Sequence, residues 1–149
     1  MGPRHLPGSA VLEIILQNRP EEKRRLLAAL EDFVGAQQLP KPVFRAADLV
    51  LEEHLTNVMN YAYDDGREHE IQVRLEAGPA QLVIEVEDDG RAFDPTLAPA
   101  VDTSLPLDQR PVGGLGIHFI RRCMDEVRYQ RRANRNVLRM IKRLPAAAP

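Results

Sequence analysis

The feature that most constrains the fold of this chain is a helical pattern that runs from Ala47 to Tyr63. Its apolar residues recur at spacings of four, three and four, which places them on one buried face of a helix. They are Leu51, Leu55, Val58 and Ala62. The pattern predicts one long helix against which the rest of the chain packs.

A different face of this helix carries Glu53 and Asn57, which stand four residues apart and so lie one turn from each other. A carboxylate beside a carboxamide is a poor core pair and a good oxygen-ligand pair. Asn supplies a neutral oxygen to a hard cation such as Mg²⁺, and Glu can accept a proton or position a water. The helix alone leaves a second interpretation open, because the same two residues also fit a solvated polar face.

Length and composition indicate a single globular domain. The 149 residues are enough to bury a core, and 44% hydrophobic with 28% charged residues is ordinary for a soluble protein. The single cysteine, Cys123, excludes an internal disulfide framework and fits a reducing cytosol, so we expect a cytoplasmic protein. The longest apolar runs are too short to cross a bilayer, so we expect no membrane partner. The net charge of −2 argues neither for nor against nucleic acid, and we expect no direct nucleic-acid partner. The four histidines show no metal spacing, which favours solvated or structural roles for them.

The order of the predicted elements is a strand, two helices, two strands, a long loop, a helix and two strands. The first helix begins at Pro20, and Pro40 and Pro42 break the chain before the central helix, whose N-cap region is expected between Lys41 and Ala46. Strands and helices do not alternate regularly, so the sequence predicts an α+β fold with a mostly antiparallel sheet and its helices on one side. The middle pair reads as a hairpin with one wet face, and Asn134 is the expected turn residue of the last pair. The predicted strands are 10–17, 71–75, 82–86, 127–130 and 136–144.

Residues 91–112 form the least regular stretch, with four prolines and almost no periodicity. A segment of this kind inside a compact domain is a lid, a binding loop or a disordered tract. It follows Asp88-Asp89-Gly90 at the end of a predicted strand and leads into Gly113-Gly114-Leu115-Gly116, which opens the third helix. A glycine run at a helix start brings backbone N–H groups and the positive end of the helix dipole to an anion.

Two common phosphate-binding motifs do not account for this glycine run. The chain has no Gly-Lys-Ser/Thr, so it lacks a Walker A loop, and Phe119 stands where a dinucleotide fingerprint needs its third glycine. Taken alone, Gly114-x-Gly116 is better interpreted as a simple helix-entry turn. The specific signal is the ordered set of Glu53-x-x-x-Asn57 on a helix, Asp88-x-Gly90 at a strand end, an irregular loop, and Gly114-x-Gly116 at a helix start.

This ordered set resembles the ATP-binding (Bergerat) fold of the GHKL superfamily, which includes gyrase-type ATPases, Hsp90, histidine kinases and MutL. The resemblance covers residues 10–144 and is greatest to the anti-sigma-factor serine kinases of the RsbW and SpoIIAB group. Their central helix reads Glu-Ala-x-Thr-Asn, followed by His-Gly-Tyr or His-Ala-Tyr. The matching segments here are Glu53-His54-Leu55-Thr56-Asn57, Tyr61-Ala62-Tyr63, Gly114-Leu115-Gly116 and Met124-Asp125-Glu126-Val127.

The resemblance implies roles for the matching residues. Asn57 corresponds to the residue that holds Mg²⁺ against the phosphates of ATP, and Glu53 to the proposed general base. Asp88 corresponds to the carboxylate that accepts a hydrogen bond from the adenine amino group, with Gly90 letting the base approach. Residues 91–112 correspond to the ATP lid.

Further positions follow the family less closely. Gly114, Leu115 and Gly116 correspond to the glycine segment on the phosphate side. Ala92 stands where the family has a second glycine after Asp-x-Gly, and Tyr61 replaces a common His. Neither change removes an essential group.

The resemblance implies an anti-sigma factor with ATP-dependent serine/threonine kinase activity. Such a protein forms homodimers, binds a sigma factor and phosphorylates an anti-anti-sigma (STAS-domain) protein. The alternative is a non-catalytic ATP-binding module that sequesters a protein partner. A histidine-kinase fragment fits less well, because no helical segment with a phosphoacceptor His precedes the domain. Residues 1–9 and 145–149 are expected to be flexible ends.

A strongly basic stretch lies near the end of the chain. Residues 121–143 carry nine basic side chains against two acidic ones, Asp125 and Glu126. A charged outer face of the sheet is the favoured interpretation. A docking surface for an acidic partner is the alternative.

Overall fold

A computed structural model describes residues 9–97 and 114–145. The remaining residues, 1–8, 98–113 and 146–149, lie outside the described part, and with them most of both predicted flexible ends and of the predicted lid. Five strands form one antiparallel sheet in the order β1-β2-β3-β5-β4. The elements are β1 (Ala10–Gln17), α1 (Glu22–Ala36), α2 (Lys41–Tyr61), β2 (Glu70–Ala77), β3 (Gln81–Asp88), a 3₁₀ turn (Pro95–Leu97), α3 (Gly114–Cys123), β4 (Glu126–Arg132) and β5 (Arg135–Arg143). The predicted α+β fold with an antiparallel sheet is confirmed.

The core lies between one face of the sheet and the helices. Alternation along the strands places Leu75, Ile84 and Met140 in register across three neighbouring strands, and all three are fully buried. Helix α2 faces them with a buried stripe that includes Leu51 and Leu55. Burial of a side chain of this size stabilises the fold by about 1.5–3 kcal/mol. The sheet and α2 are therefore held in a fixed relation, which positions the polar residues at their ends.

The opposite face of the sheet carries a row of charged residues that runs across all five strands. Glu13, Arg74, Glu85, Arg139 and Arg128 are cross-strand neighbours in that order. Arg74 Nε donates to Glu13 at 3.2 Å, and Arg139 donates to Glu85 at 3.4 Å. Opposite charges facing each other across strands each contribute roughly 0.2–1 kcal/mol. Part of the basic stretch is thus paired within the sheet.

This outer face of the sheet is less exposed to solvent than the alternation of residues predicts. Val83 and Glu76 are buried although they point away from the helices, which corrects the prediction of a fully solvated face. The register explains the difference, because Val83 lies between Glu76 and Ile141 on the neighbouring strands and is shielded by them.

Helix α2 begins at Lys41, six residues before the apolar pattern starts and at the first residue of the region in which the N-cap was expected. Pro40 has an extended conformation at the N-cap, and Pro42 lies in the first turn, where a missing N–H leaves no hydrogen bond unmade. The two prolines therefore belong to the start of helix α2, and they do not break the chain before it. Helix α1 is tied to α2 by Lys23, whose Nζ donates to Glu52 at 3.0 Å and to Thr56 at 2.6 Å.

The turn between β4 and β5 has Ala133 and Asn134 at positive φ, 51° and 61°. Two-residue hairpin turns of this hand need positive φ at both central residues, and Asn tolerates that conformation well. The prediction of Asn134 as a turn residue is confirmed. The tight turn fixes the register of β5, including Asn136 near its start.

Candidate functional site

A cavity of about 250 Å³ lies between helix α2 and the sheet, at the end of β3. Helix α2 lines it with polar and apolar side chains, the strands contribute buried residues, and the segment after β3 closes one side. The lining includes His54, Asn57, Val58, Tyr61, Asp88, Ala92, Asn136 and Leu138. The predicted site residues Asn57, Asp88 and Ala92 therefore share one cavity.

Asp88 is the most buried carboxylate of this cavity, with 2% of its surface exposed. Its Oδ1 accepts hydrogen bonds from the backbone N–H of Gly90 and from Asn136 Nδ2, both at 2.9 Å. Burial raises the pKa of Asp88 above its usual range, and these two hydrogen bonds offset part of the effect. No described residue donates a hydrogen bond to Oδ2. A buried carboxylate with one oxygen lacking a hydrogen-bond donor can bind a ligand that brings an N–H group.

Asn136 organises the surroundings of Asp88, and sequence reasoning missed it. Its Nδ2 also donates to the carbonyl of Arg91 at 2.8 Å, while its Oδ1 accepts from Arg131 at 3.0 Å and from the Tyr129 hydroxyl. One side chain thereby joins the ends of β3, β4 and β5 to the segment that follows β3. No local sequence signal marks this residue, and only the pairing of β3 with β5 reveals it.

Gly90 lies where the chain after β3 passes the end of α2. A Cβ on Gly90 would come within 2.5 Å of the Ala62 Cβ and 2.7 Å of the Ala62 carbonyl oxygen. The next residue, Arg91, donates its backbone N–H to that same oxygen at 3.1 Å. Glycine is therefore required for this close approach, which forms one wall of the cavity.

Glu53, Asn57 and Gly116 meet where α3 packs against α2. A Cβ on Gly116 would come within 2.9 Å of Asn57 Nδ2 and 3.3 Å of Glu53 Oε2. Helix α3 begins at Gly114, so the predicted helix start at the glycine run is confirmed. The side chain of Leu115 lies outside the described residues. The structure thus places Gly116 against Asn57 and Glu53, and it places Asn57 in one cavity with Asp88.

His54 was expected to be solvated or structural, and the structure shows a further property. It is buried, with 6% of its surface exposed, and it lines the cavity. Burial lowers the pKa of His54 to about 4, so the imidazole is uncharged at neutral pH.

The geometry also tests whether the site fits a metal-bound polyphosphate. The described residues contain no group of three or more His, Cys, Asp or Glu side chains placed to hold a metal ion by themselves. Mg²⁺ is commonly held by one or two protein oxygens together with phosphates and water, which is the arrangement that Asn57 can serve. The absence of a side chain at Gly116 lets the start of α3 approach Asn57 and Glu53 closely, which leaves its backbone near the oxygen that would hold the metal. The residues present therefore fit a nucleotide carrying Mg²⁺.

The sheet with helices on one side, the helix that carries Glu53 and Asn57, and the buried Asp88 beside Gly90 define an ATP-binding domain of the GHKL type. The family model described as a histidine kinase-like ATPase domain matches residues 16–142, and the chain belongs to this family. The resemblance seen in the sequence is confirmed.

Two curated relatives are named protein kinases. The chain is 31% identical over 90 residues to the serine/threonine-protein kinase BtrW of Bordetella bronchiseptica, covering 60% of this chain and 63% of that protein. It is 32% identical over 87 residues to the serine-protein kinase RsbW of Bacillus subtilis, covering 55% of this chain and 54% of that protein. The chain thus matches between about half and under two thirds of the length of these relatives.

A solved structure has the same fold. The crystal structure of the RsbU and RsbW domains of Rv1364c from Mycobacterium tuberculosis aligns with a TM-score of 0.64 and 16% identity. The alignment covers 92% of this chain and 34% of that chain. Within the part of the chain that the structure describes, no helix is both long and apolar enough to cross a membrane.

Proposed function

We propose that this chain is an ATP-dependent serine/threonine protein kinase that acts as an anti-sigma factor in a partner-switching circuit. Residues 10–144 form the kinase domain, and 91–112 form its lid. The observation that carries the proposal is the placement of buried Asp88 in one cavity with Asn57, beside which Glu53 and Gly116 lie. The names of the curated relatives support the kinase class.

The base end of the pocket is built around Asp88. Its Oδ1 is already engaged by Gly90 and Asn136, so Oδ2 is the atom that accepts a hydrogen bond from the exocyclic amine of adenine. Guanine presents a carbonyl at the corresponding position, and a carbonyl facing a carboxylate leaves both oxygens without a donor. The site therefore binds ATP and ADP in preference to GTP.

The phosphate end lies at the contact of α2 with α3. Asn57 would hold Mg²⁺, which would neutralise phosphate charge. Gly114, Leu115 and Gly116 bring the start of α3 to the phosphates, with Gly116 against Asn57. Glu53 accepts the proton of the attacking serine or threonine hydroxyl. Phosphoryl transfer requires mainly positioning and charge stabilisation, and these residues supply both.

The proposed partners are a sigma factor and an anti-anti-sigma protein with a STAS domain, met in the cytoplasm. We also propose a homodimer. Strand β1 forms one edge of the sheet and exposes 49% of Ile15, which leaves an edge and an apolar side chain for a second copy. Light scattering at micromolar concentration is expected to give twice the mass of the chain, and a monomer at every concentration would contradict the dimer.

The test of kinase activity uses Glu53→Gln, with Glu52→Gln as the matched control. Glu53→Gln keeps the shape of the side chain and removes its basicity, so phosphate transfer from labelled ATP should fall by about 10²-fold or more while ATP binding stays nearly intact. Glu52 is the exposed neighbour on the same helix, and its variant should transfer like wild type. The protein that accepts the phosphate is first isolated by affinity capture on this chain, with and without ATP.

The outcomes separate two classes of function. If wild type binds ATP but transfers phosphate to no captured antagonist, the kinase proposal fails and a non-catalytic ATP-binding module that sequesters its partner remains. If Glu53→Gln transfers as fast as wild type, the protein is a kinase with a different base.

A further inference from the structure

His54 combines deep burial with an unmet hydrogen-bonding requirement. It follows Glu53 on α2, has 6% of its surface exposed, and lines the cavity together with Val58, Leu138 and Asp88. Its Nε2 is buried and has no hydrogen-bond partner among the described residues. His54 thus lines the proposed nucleotide pocket and carries a buried nitrogen that has no hydrogen-bond partner among the described residues.

An unpartnered nitrogen at this place is unfavourable for the unliganded protein. Buried polar atoms are nearly always hydrogen-bonded, because desolvation without a partner opposes folding. A leucine would fill a similar volume in the helix without that penalty. The imidazole is therefore explained more simply by a partner that arrives with the ligand than by packing.

The charge state of His54 indicates which part of a nucleotide can form a hydrogen bond with it. Because burial lowers its pKa to about 4, the ring carries no charge at neutral pH and has no Coulombic attraction for phosphates. A neutral imidazole has one N–H donor and one nitrogen acceptor, which matches the donors and acceptors on the edge of a purine. The apolar neighbours Val58 and Leu138 suit the flat face of a base, and Asp88 suits its exocyclic amine.

We propose that His54 is a specificity-determining residue of the pocket and makes a hydrogen bond to the purine base of the bound nucleotide. This inference rests on the proposed function, since it assumes that the cavity binds ATP. It adds a second polar contact to the base, independent of Asp88, at a position that the sequence comparison with the family leaves without a role.

Calorimetry with ATP and ADP on wild type, His54→Leu and His54→Gln tests the inference. His54→Leu keeps the volume and removes the hydrogen bond, so both nucleotides should bind about tenfold more weakly. The loss should be equal with Mg²⁺ and with EDTA, because the contact is to the base. His54→Gln places an amide at the reach of Nε2 and should restore most of the affinity.

Tyr63→Phe is the matched control, since the Tyr63 hydroxyl is also buried without a hydrogen bond of standard geometry among the described residues, lies near Asp89, and belongs to a residue that does not line the cavity. Its affinity for ADP should equal that of wild type. Thermal unfolding of the free proteins should show both His54→Leu and Tyr63→Phe at least as stable as wild type, which separates a ligand contact from a structural role.

An independent readout is the ¹⁵N shift of the His54 imidazole in histidine-labelled protein, assigned by its absence in His54→Gln. Addition of ADP should move it, because a new hydrogen bond changes the ring nitrogen. If wild type binds ADP and His54→Leu binds it equally, or if Tyr63→Phe loses as much affinity, the role of His54 is wrong and the proposed function stands. If wild type binds no nucleotide, the proposed function itself fails.

Discussion

Asn136 Nδ2 donates a hydrogen bond of 2.9 Å to Asp88 Oδ1, and the two residues face each other in the register of β3 with β5. The bond fixes the rotamer of the carboxylate and uses one of its oxygens. Since no described residue donates to Oδ2, that oxygen is left for a ligand. If the pocket binds ATP as proposed, its selectivity depends on Asn136, a residue that need not touch the nucleotide.

Asp88→Asn is expected to weaken ATP binding by about 10- to 100-fold, because a hydrogen bond to a charged acceptor is lost and an amide N–H faces the adenine amine. The free variant should be at least as stable as wild type, since burial raises the pKa of Asp88 and makes its charge unfavourable. Calorimetry and thermal unfolding measure the two effects. Asp89→Asn, at the exposed neighbour, should bind ATP normally, and full ATP affinity in Asp88→Asn would remove the adenine contact from the proposal.

Asn136→Ala is expected to destabilise the fold by about 1–3 kcal/mol, because it leaves the Arg91 carbonyl without the Asn136 donor and leaves Asp88 with the Gly90 N–H alone. ATP affinity should fall about tenfold, since Asp88 then loses one of the two hydrogen bonds that orient it. Denaturant unfolding and calorimetry measure both. Asn60→Ala, at an exposed position of α2, serves as the control and should change neither quantity. Unchanged ATP binding in Asn136→Ala would mean that Asp88 does not need this positioning.

Gly116→Ala is expected to reduce Mg²⁺-dependent ATP binding and phosphate transfer, because its Cβ would lie 2.9 Å from Asn57 and 3.3 Å from Glu53. Gly35→Ala is the matched control. It lies in α1 with no atom within 4 Å of the added Cβ, so it should stabilise the protein by up to about 1 kcal/mol and leave activity unchanged. If Gly116→Ala transfers phosphate as fast as wild type, the close approach of α3 to α2 has no role in phosphate transfer.

Acid is expected to destabilise the free protein through His54. Its pKa is about 4 in the folded state and 6.5 when unfolded, so protons bind preferentially to the unfolded chain between these values. The stabilising contribution is complete above pH 6.5 and is lost as the pH falls toward 4, by about 1.4 kcal/mol per pH unit. Asp88 and His69 have raised pKa values and oppose this trend. The quantity to measure is therefore the difference in the free energy of unfolding between wild type and His54→Leu. Denaturant unfolding at pH 7, 6 and 5 gives this difference. If the difference does not vary with pH, the lowered pKa of His54 is wrong.

Local patterns in the sequence predicted most of the elements and half of the site. The spacing of Leu51, Leu55 and Val58 predicts a helix, and the alternation around Ile71 and Ile84 predicts strands, because side-chain direction follows from backbone geometry within a few residues. The candidate roles of Glu53, Asn57, Asp88 and Gly116 came instead from the resemblance of their ordered motifs to a known family. Pro40 and Pro42 were expected to break the chain before α2, whereas they lie at its N-cap and in its first turn, where proline is tolerated.

The sequence by itself determined which residues are candidates for the chemistry, while the tertiary structure decided which of them meet and which others support them. Asn136 reaches Asp88 across 48 residues of chain, and no local pattern encodes that contact. The burial of His54 depends on the sheet that covers it, and the need for glycine at position 116 depends on how closely α3 approaches α2. These properties arise from strand register and helix packing, which are set by the burial of the whole core and not by any one segment.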